Sequence, residues 1–362
     1  MARVHGTTLS ALDVHGQFVS ALIRSARKAY AAGAALRMTT SQPAAVETLS
    51  FGDLQGHAEG LLDHIAQALI VGRPALYTHQ VGWLKQSFGA RGIDPSVLRR
   101  LLAALRDELE HELPPEAART AAAVAEAGLA HFEVAPTEPP SPLEGTGPLA
   151  EVARTYLLAA FEGRRLDAIR IAEDAVAAGM SVSDLYTNVL ARAQIEIGRM
   201  WQCGQIHVAE EHISSRITEQ VMSIVSAHMP RKPNNGKSVL ITSANGDLHD
   251  IGLRMVADHF EMAGWEVVYL GASTPAEDLA LAVKHFHVDL VAVAAKLVLH
   301  VRTTAEMIQV LRKSMNGHKV PILVGGAAFQ IVPDLWRIVG ADGGAASAVE
   351  AVAVGEKLTV RA

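Results

Sequence analysis

Apolar positions along the chain change their period near residue 236, and so divide it into helical and alternating parts. In LQGHAEGLLDHIAQALIVG (54–72), Leu54, Leu61, Leu62, Ile65 and Leu69 fall on one helical face. ALYTHQVGWLKQSFGARG (75–92) continues the pattern through Tyr77, Trp83 and Leu84. DPSVLRRLLAALRDELEHEL (94–113) opens with Asp94 as cap and Pro95 in the first turn, and EAARTAAAVAEAGLAHF (116–132) adds a further helix. Helices without strands predict an all-α domain, a globin-like or bundle packing.

EVAPTEPPSPLEGTGP (133–148) is rich in Pro, Gly and Ser and reads as a linker with too little apolar surface to pack. A shorter break, MPRKPNNGK, covers 229–237. Between them, 151–163, 164–179, 181–201 and 208–225 read as four helices. Ser181 with Asp184 suggests a capping box, and Gly163, Gly179 and Gly204 stop the other helices. Short connections predict a four-helix bundle.

After residue 236 apolar runs alternate with helical patterns. Strands are expected at 238–244, 266–271, 289–295 and 321–326, with a last one in 341–347. Helices are expected at 250–264, 275–286, 303–315 and 348–358, with a short one after the fourth strand. Continuous apolar strands between helices predict a parallel sheet covered on both faces, a flavodoxin-like, Rossmann-like α/β domain. Ligands of such sheets sit at the carboxyl ends of the strands.

Composition narrows the function. The net charge of −6 over 362 residues creates no basic field, and residues 1–132 show neither a basic excess nor a winged-helix pattern, so direct nucleic-acid binding is not expected. The single cysteine, Cys203, excludes an intramolecular disulfide and fits a reducing compartment. MARVHGTTLSALDVHG lacks a signal-peptide pattern and no run suits a membrane span, so a cytoplasmic location is expected. No nucleophile–base pair or Walker loop stands out, and the chain reads as a non-enzyme.

The first strand of the α/β part ends in NGDLHDIG (245–252), which offers Asp247, His249 and Asp250 in one turn. Two carboxylates and no glycine-rich spacing argue against a phosphate cradle. The turn fits a helix cap with His249 as a bystander, or a metal-ligand histidine whose second ring nitrogen is held by Asp247.

Asp247-Leu248-His249-Asp250-Ile251-Gly252 resembles the Asp-x-His-x-x-Gly signature of the cobalamin-binding domain family. Gly325-Gly326 falls where that family has Gly-Gly, and Ala294-Ala295-Lys296 where it has Ser-x-Leu. The resemblance implies that His249 ligates cobalt from below and that Asp247 supports it. It also implies that the displaced nucleotide tail threads into the sheet past Gly325 and Gly326. Ala294 lacks the hydroxyl expected there, which predicts weaker tail binding.

The four-helix unit is similar to the cap of such domains. Trp201, Glu211 and His212 match the spacing of a motif in adenosylcobalamin photoreceptors, in which the Trp covers the corrin and the Glu reaches the adenosyl ribose. A core Trp beside a solvated helix face is the plainer alternative. Gln202 stands where many of those photoreceptors carry a cobalt-capturing histidine, leaving His207 or His212 for that task.

The order of parts resembles photocobilins: a helical sensor domain (1–132), a linker (133–148), a cap (149–230) and a cobalamin-binding α/β domain (236–362). That resemblance implies non-covalent biliverdin near Tyr77, His79 and Trp83, with Arg91 or Arg99 on a propionate; a core helix with a satisfied histidine is the alternative. Haem is the rival ligand, through His57, His64 or His79. The function so implied is a photoreceptor and signalling protein that binds adenosylcobalamin and biliverdin. Its partners are these tetrapyrroles and an unidentified downstream signalling protein, with homo-oligomerisation left open. The competing reading is a corrinoid carrier serving a methyltransferase.

Overall fold

The structure is a computed structural model that describes residues 13–41, 49–314 and 320–360. Residues 1–12 of the opening segment and Met315, the expected end of one helix, lie outside the described residues.

Among the described residues, six helices precede the linker region: α1 (Val14–Ser25), α2 (Arg27–Ser41), α3 (Phe51–Val71), α4 (Ala75–Ala90), α5 (Pro95–Glu112) and α6 (Pro115–Val134). Ser50 and Asp53 form a reciprocal capping box at the start of α3. The Asp94 side chain accepts from Ser96 N at the start of α5. Leu61, Leu62 and Ile65 of α3 meet Leu98, Leu101 and Leu105 of α5 in the core. The first two helices agree with the all-helical expectation for this part, which set no bounds for them.

The stretch 135–147 is irregular in backbone but packed. Leu143 is buried in the core of the next unit, Arg192 Nε donates to Pro142 O at 2.8 Å, and Ser141 Oγ donates to Glu196 Oε2 at 2.9 Å. One leucine and a few backbone carbonyls are enough to strap it down, contrary to the expectation of an unpacked linker.

The cap comprises α7 (Pro148–Phe161), α8 (Arg165–Ala177), α9 (Val182–Asp184), a π-helical segment Leu185–Leu190, α10 (Ala191–Gln202) and α11 (Val208–Val225). The π segment carries Tyr186, whose hydroxyl donates to Asp258 Oδ2 at 2.7 Å. Burial raises the Asp258 pKa, and the donations from Tyr186 and Arg254 oppose that rise.

The α/β domain runs β1 (Ser238–Ser243), α12 (Ile251–Met262), β2 (Glu266–Gly271), α13 (Ala276–Phe286), β3 (Leu290–Ala294), α14 (His300–Ser314), β4 (Ile322–Gly325), α15 (Ala327–Gln330), α16 (Leu335–Ile338), β5 (Gly343–Ala345) and α17 (Ala348–Leu358). All strand pairs are parallel, in the order β2-β1-β3-β4-β5, the flavodoxin-like winding expected. Strand periodicity divides the core. Val239, Ile241, Leu290 and Ala292 face Leu253 and Phe260 of α12. Leu240, Val291 and Val293 face α13 and α14, in a core continuous with that of the N-terminal helices.

The three units touch one another. Tyr186 and Ser183 bind α12 through Asp258 and His259. The N-terminal domain reaches the α/β domain through an Arg73–Asp334 ion pair at 2.5 Å and a long bond from Gln67 Nε2 to Leu299 O at 3.4 Å.

Candidate functional site

The loop after β1 is organised around Asp247, which is 1% exposed. Its Oδ1 accepts from His249 N at 3.1 Å and from His249 Nδ1 at 2.8 Å. Its Oδ2 accepts from Lys296 N at 2.6 Å, and His300 Nδ1 stands 3.2 Å away. Burial alone would raise this carboxyl's pKa; the donors outweigh it and hold Asp247 well below the usual carboxylate range. An ionised carboxylate only accepts, so His249 must carry its proton on Nδ1. Nε2 is then a lone-pair donor on a ring 54% exposed. This is the arrangement of a metal-ligating histidine with its supporting carboxylate.

Among the described residues no group of three or more His, Cys, Asp or Glu could hold a metal ion. Asp250 stands at the start of α12, makes no side-chain cap bond, and gives its carbonyl to Arg254 N at 2.8 Å.

Beside the loop, the carboxyl edge of the sheet is flat. Ser243, Ala294, Gly325 and Ala345 lie in register across four strands. Exposed Leu248 and Leu297 flank this row. Gly326 has φ 96°, and a Cβ there would stand 2.4 Å from Ala295 O. The chain's own packing thus requires Gly326, whether or not a nucleotide tail passes it. Gly252, near the start of α12, differs: a Cβ there would meet nothing within 4 Å.

Lys296 is exposed. Desolvation by neighbouring protein lowers its pKa, with Asp247 opposing. His79 of α4 lies within electrostatic reach of Lys296. Burial lowers its pKa first, and the neighbouring His131 and Lys296 lower it further.

Trp201, at the end of α10, is 41% exposed, so it is no core aromatic. Its ring lies 6.4 Å from that of Trp83 on α4. Gln202 does not face solvent. Its Nε2 donates to Trp83 O at 3.1 Å and to Gln86 Oε1 at 3.2 Å. Its carbonyl accepts from Ser87 Oγ at 3.0 Å and Arg91 Nε at 3.2 Å. The position where the resembled photoreceptors carry a histidine is spent here on fastening α4 to the cap.

Glu211 accepts from Ser215 Oγ at 2.8 Å and pairs with His212 Nδ1. His212 lines a shallow groove of about 410 Å3 with Gly163, Arg165 and Arg216, on the α8–α11 side of the cap. A second groove of about 380 Å3 continues along Arg165, Gln220 and Ile224. No residue of the carboxyl edge lines either groove. His207 lies exposed at the start of α11, its amide held by Glu210.

Tyr77 does not join His79 and Trp83. It is fully buried, and a Cβ on Gly128 would stand 2.2 Å from its ring. Among the described residues its hydroxyl has no partner, and burial pushes its pKa up. The (i, i+2) spacing puts it on the core side of α4, which removes it from any stacking surface in this conformation. Arg99 pairs with Glu133 at 2.7 Å, and Arg91 binds the carbonyls of Trp201 and Gln202, so neither stands unengaged for a propionate. His57 packs edge-on against Phe88, and His64 is buried with Nδ1 on Gly60 O at 2.8 Å. Sequence reasoning did not single out His300, Ser87 or Arg73. Their roles depend on partners distant in the chain, which no local pattern signals.

Comparison with known proteins gives two family matches, each to a B12 binding domain: residues 152–226 and residues 237–353. The dimethylamine corrinoid protein 1 of Methanosarcina mazei is 26% identical over 197 residues, 54% of this chain and 90% of that protein. The trimethylamine corrinoid protein of Methanosarcina barkeri is 26% identical over 186 residues, 51% of this chain and 85% of that protein. The monomethylamine corrinoid protein structure of Methanosarcina barkeri shares the fold, with a TM-score of 0.52 and 21% identity over 57% of this chain and 98% of that one. Both family matches begin after residue 151, beyond the N-terminal helical domain. Among the described residues no helix is long and apolar enough to cross a membrane.

Proposed function

We propose that this protein, whose residues 152–226 and 237–353 belong to cobalamin-binding domains, holds cobalamin at the carboxyl edge of its sheet and acts as a corrinoid carrier for a methyltransferase. The observation that carries the site is the 2.8 Å bond from His249 Nδ1 to buried Asp247, which leaves Nε2 as a ligand beside a row of small residues. The relatives named as dimethylamine and trimethylamine corrinoid proteins support the carrier reading better than the photoreceptor reading.

Bound cobalamin supplies a cobalt–carbon bond that can be broken and remade. The chain's residues do the rest. His249 would offer Nε2 to the cobalt, and Asp247 fixes the tautomer and raises the basicity of the ring. Ala294 and Gly325 leave room for the nucleotide tail along the sheet edge. Trp201 and Glu211 would cover bound corrin and limit access of water. The protein itself catalyses no step in this reading; a partner methyltransferase does.

A specific observation favours a second reading, a light-responsive protein that holds adenosylcobalamin, with biliverdin in a globin-like N-terminal domain. Gln202, Arg91 and Ser87 tie the N-terminal domain to the end of the helix that carries Trp201. Trp83 then lies near Trp201, and His79 within electrostatic reach of Lys296. A domain so placed would sense or report the state of the upper face to a downstream signalling partner.

One set of measurements separates the readings. The purified protein is loaded in turn with methylcobalamin, adenosylcobalamin and biliverdin, and absorption is recorded in the dark and after illumination. His249→Ala should lose most cobalamin affinity; unchanged affinity and spectrum would overturn the site. Methyl transfer with a methyltransferase, without a light-driven change in size or shape, supports the carrier. Biliverdin uptake with a light-driven change in size or shape, and no methyl transfer, overturns it in favour of the sensor.

A further inference from the structure

The loops after β1 and β3 face each other, because Ser243 and Ala294 end those strands in register. Asp247 lies in the first loop; Lys296 and His300 lie in the second. An ionised carboxylate has about four acceptor positions. Three are taken on Asp247, by His249 N, His249 Nδ1 and Lys296 N. The fourth faces His300 Nδ1, 3.2 Å from Oδ2.

That contact falls short of a full hydrogen bond, and among the described residues buried His300 Nδ1 has no other partner. A buried ring nitrogen without a partner is costly, and Asp247 is the acceptor within reach. The other side of the ring lies near Gly246. A Cβ on Gly246 would stand 3.7 Å from its Nε2, and Gly246 belongs to the turn that presents Asp247. The His300 backbone is held in turn by Thr304 Oγ1 at 2.9 Å.

We propose that His300 is a positioning residue for the His249 ligand: it holds the second oxygen of Asp247, so that the first stays on His249 Nδ1. The inference rests on the cobalamin-binding reading of His249. Ala294 carries no hydroxyl, so no side-chain donor comes from the end of β3 itself; the donor comes instead from the first turn of α14. Without His300, only the Lys296 amide restrains that oxygen. The carboxylate can then turn, and the tautomer and direction of the His249 ring are fixed less firmly.

The test uses the full-length protein loaded with cob(II)alamin and reads the nitrogen coupling of the axial ligand by electron paramagnetic resonance. Four proteins are compared: wild type, His249→Ala, His300→Leu and His300→Asn. Leucine fills the space without a donor, and asparagine restores an N–H near the Nδ1 position. His300→Leu should lower the fraction of histidine-ligated cobalt and weaken cobalamin binding about tenfold, the low end for a supporting residue. His300→Asn should recover most of both. Thermal melting of the cofactor-free proteins shows whether each variant folds. If His300→Leu unfolds, the comparison of His300→Asn with wild type decides, and a loss of histidine coupling in that folded variant overturns the inference. The inference is also overturned if His300→Leu keeps wild-type coupling and affinity, or if folded His300→Asn is no better than His300→Leu. Nitrogen coupling that survives in His249→Ala overturns the reading of His249 itself, and the inference with it.

Discussion

The side-chain amide of Gln202 donates to the backbone carbonyl of Trp83 at 3.1 Å, one of several bonds, with those of Gln86, Ser87 and Arg91, that join the cap to the N-terminal domain beside two tryptophans. Gln202 is 7% exposed, so its loss leaves Trp83 O and Gln86 Oε1 short of a donor in a nearly dry place. Gln202→Ala should cost about 1–3 kcal/mol by the unmade-bond rule. It should also loosen the turn 203–207 after α10. Urea unfolding and limited proteolysis at that turn measure the two effects. A variant with wild-type stability and cleavage would show that the contact does not hold the domains together.

Acidification should weaken the N-terminal domain before it reaches the Asp247 loop. Burial lowers the pKa of His57, His64 and His79 in the folded protein. The unfolded chain therefore binds protons first, once pH falls below about 6.5. Stability should decline from that pH downward and level off once the folded histidines also titrate. Asp247 has the same sign but a lower window: its folded pKa is depressed too, so its contribution stays intact through the histidine range and is lost only as pH falls through and below the usual carboxylate range. Melting temperatures at pH about 7.5, 6 and 5 give the profile. His64→Gln should flatten it, and an unchanged slope would clear His64 of responsibility.

What was legible in the chain follows from how local each signal is. The strand Glu266–Gly271 and the helix Ala348–Leu358 have the bounds that their apolar patterns predict, because alternation and caps are properties of neighbouring residues. The five-stranded order also follows from alternating elements. The π-helical segment at Leu185–Leu190 was not legible. It follows from the packing of Tyr186 on Asp258, more than 70 residues away. The same holds for Gln202, read as a missing histidine when its side chain is a fastening between domains. Tyr77 was assigned to a ligand surface because it lies near His79 in the chain, yet the helix turns it into the core.

Tyr77 itself carries a test. Its hydroxyl is buried without a partner, and such a group is a net cost to the folded state. Tyr77→Phe should leave stability unchanged or raise it by about 1 kcal/mol. If a tetrapyrrole enters the N-terminal domain and takes that hydroxyl as a partner, Tyr77→Phe should weaken pigment uptake while the melting temperature holds or rises. A clear loss of stability in the pigment-free variant would mean that the hydroxyl already has a partner, such as a buried water.

Gly252 and Gly326 both belong to the glycine pattern of the site, but the fold needs only one of them. At Gly326 the backbone is left-handed, with φ 96°, and a Cβ would press on the backbone of Ala295. Gly326→Ala should therefore cost at least about 1–3 kcal/mol, with or without cofactor. At Gly252 a Cβ would meet nothing, and the residue lies in the first turn of α12, where alanine is the better helix former. Gly252→Ala should leave the cofactor-free protein as stable as wild type or up to about 1 kcal/mol more stable. The open space there adjoins the His249 loop, so a methyl group should instead hinder a corrin ring seated over Nε2. Urea unfolding without cofactor, paired with cobalamin titration, separates the two effects. Weaker cobalamin binding at unchanged or higher stability marks Gly252 as a contact surface. Unchanged binding would remove Gly252 from the site and leave it as an ordinary exposed helix position.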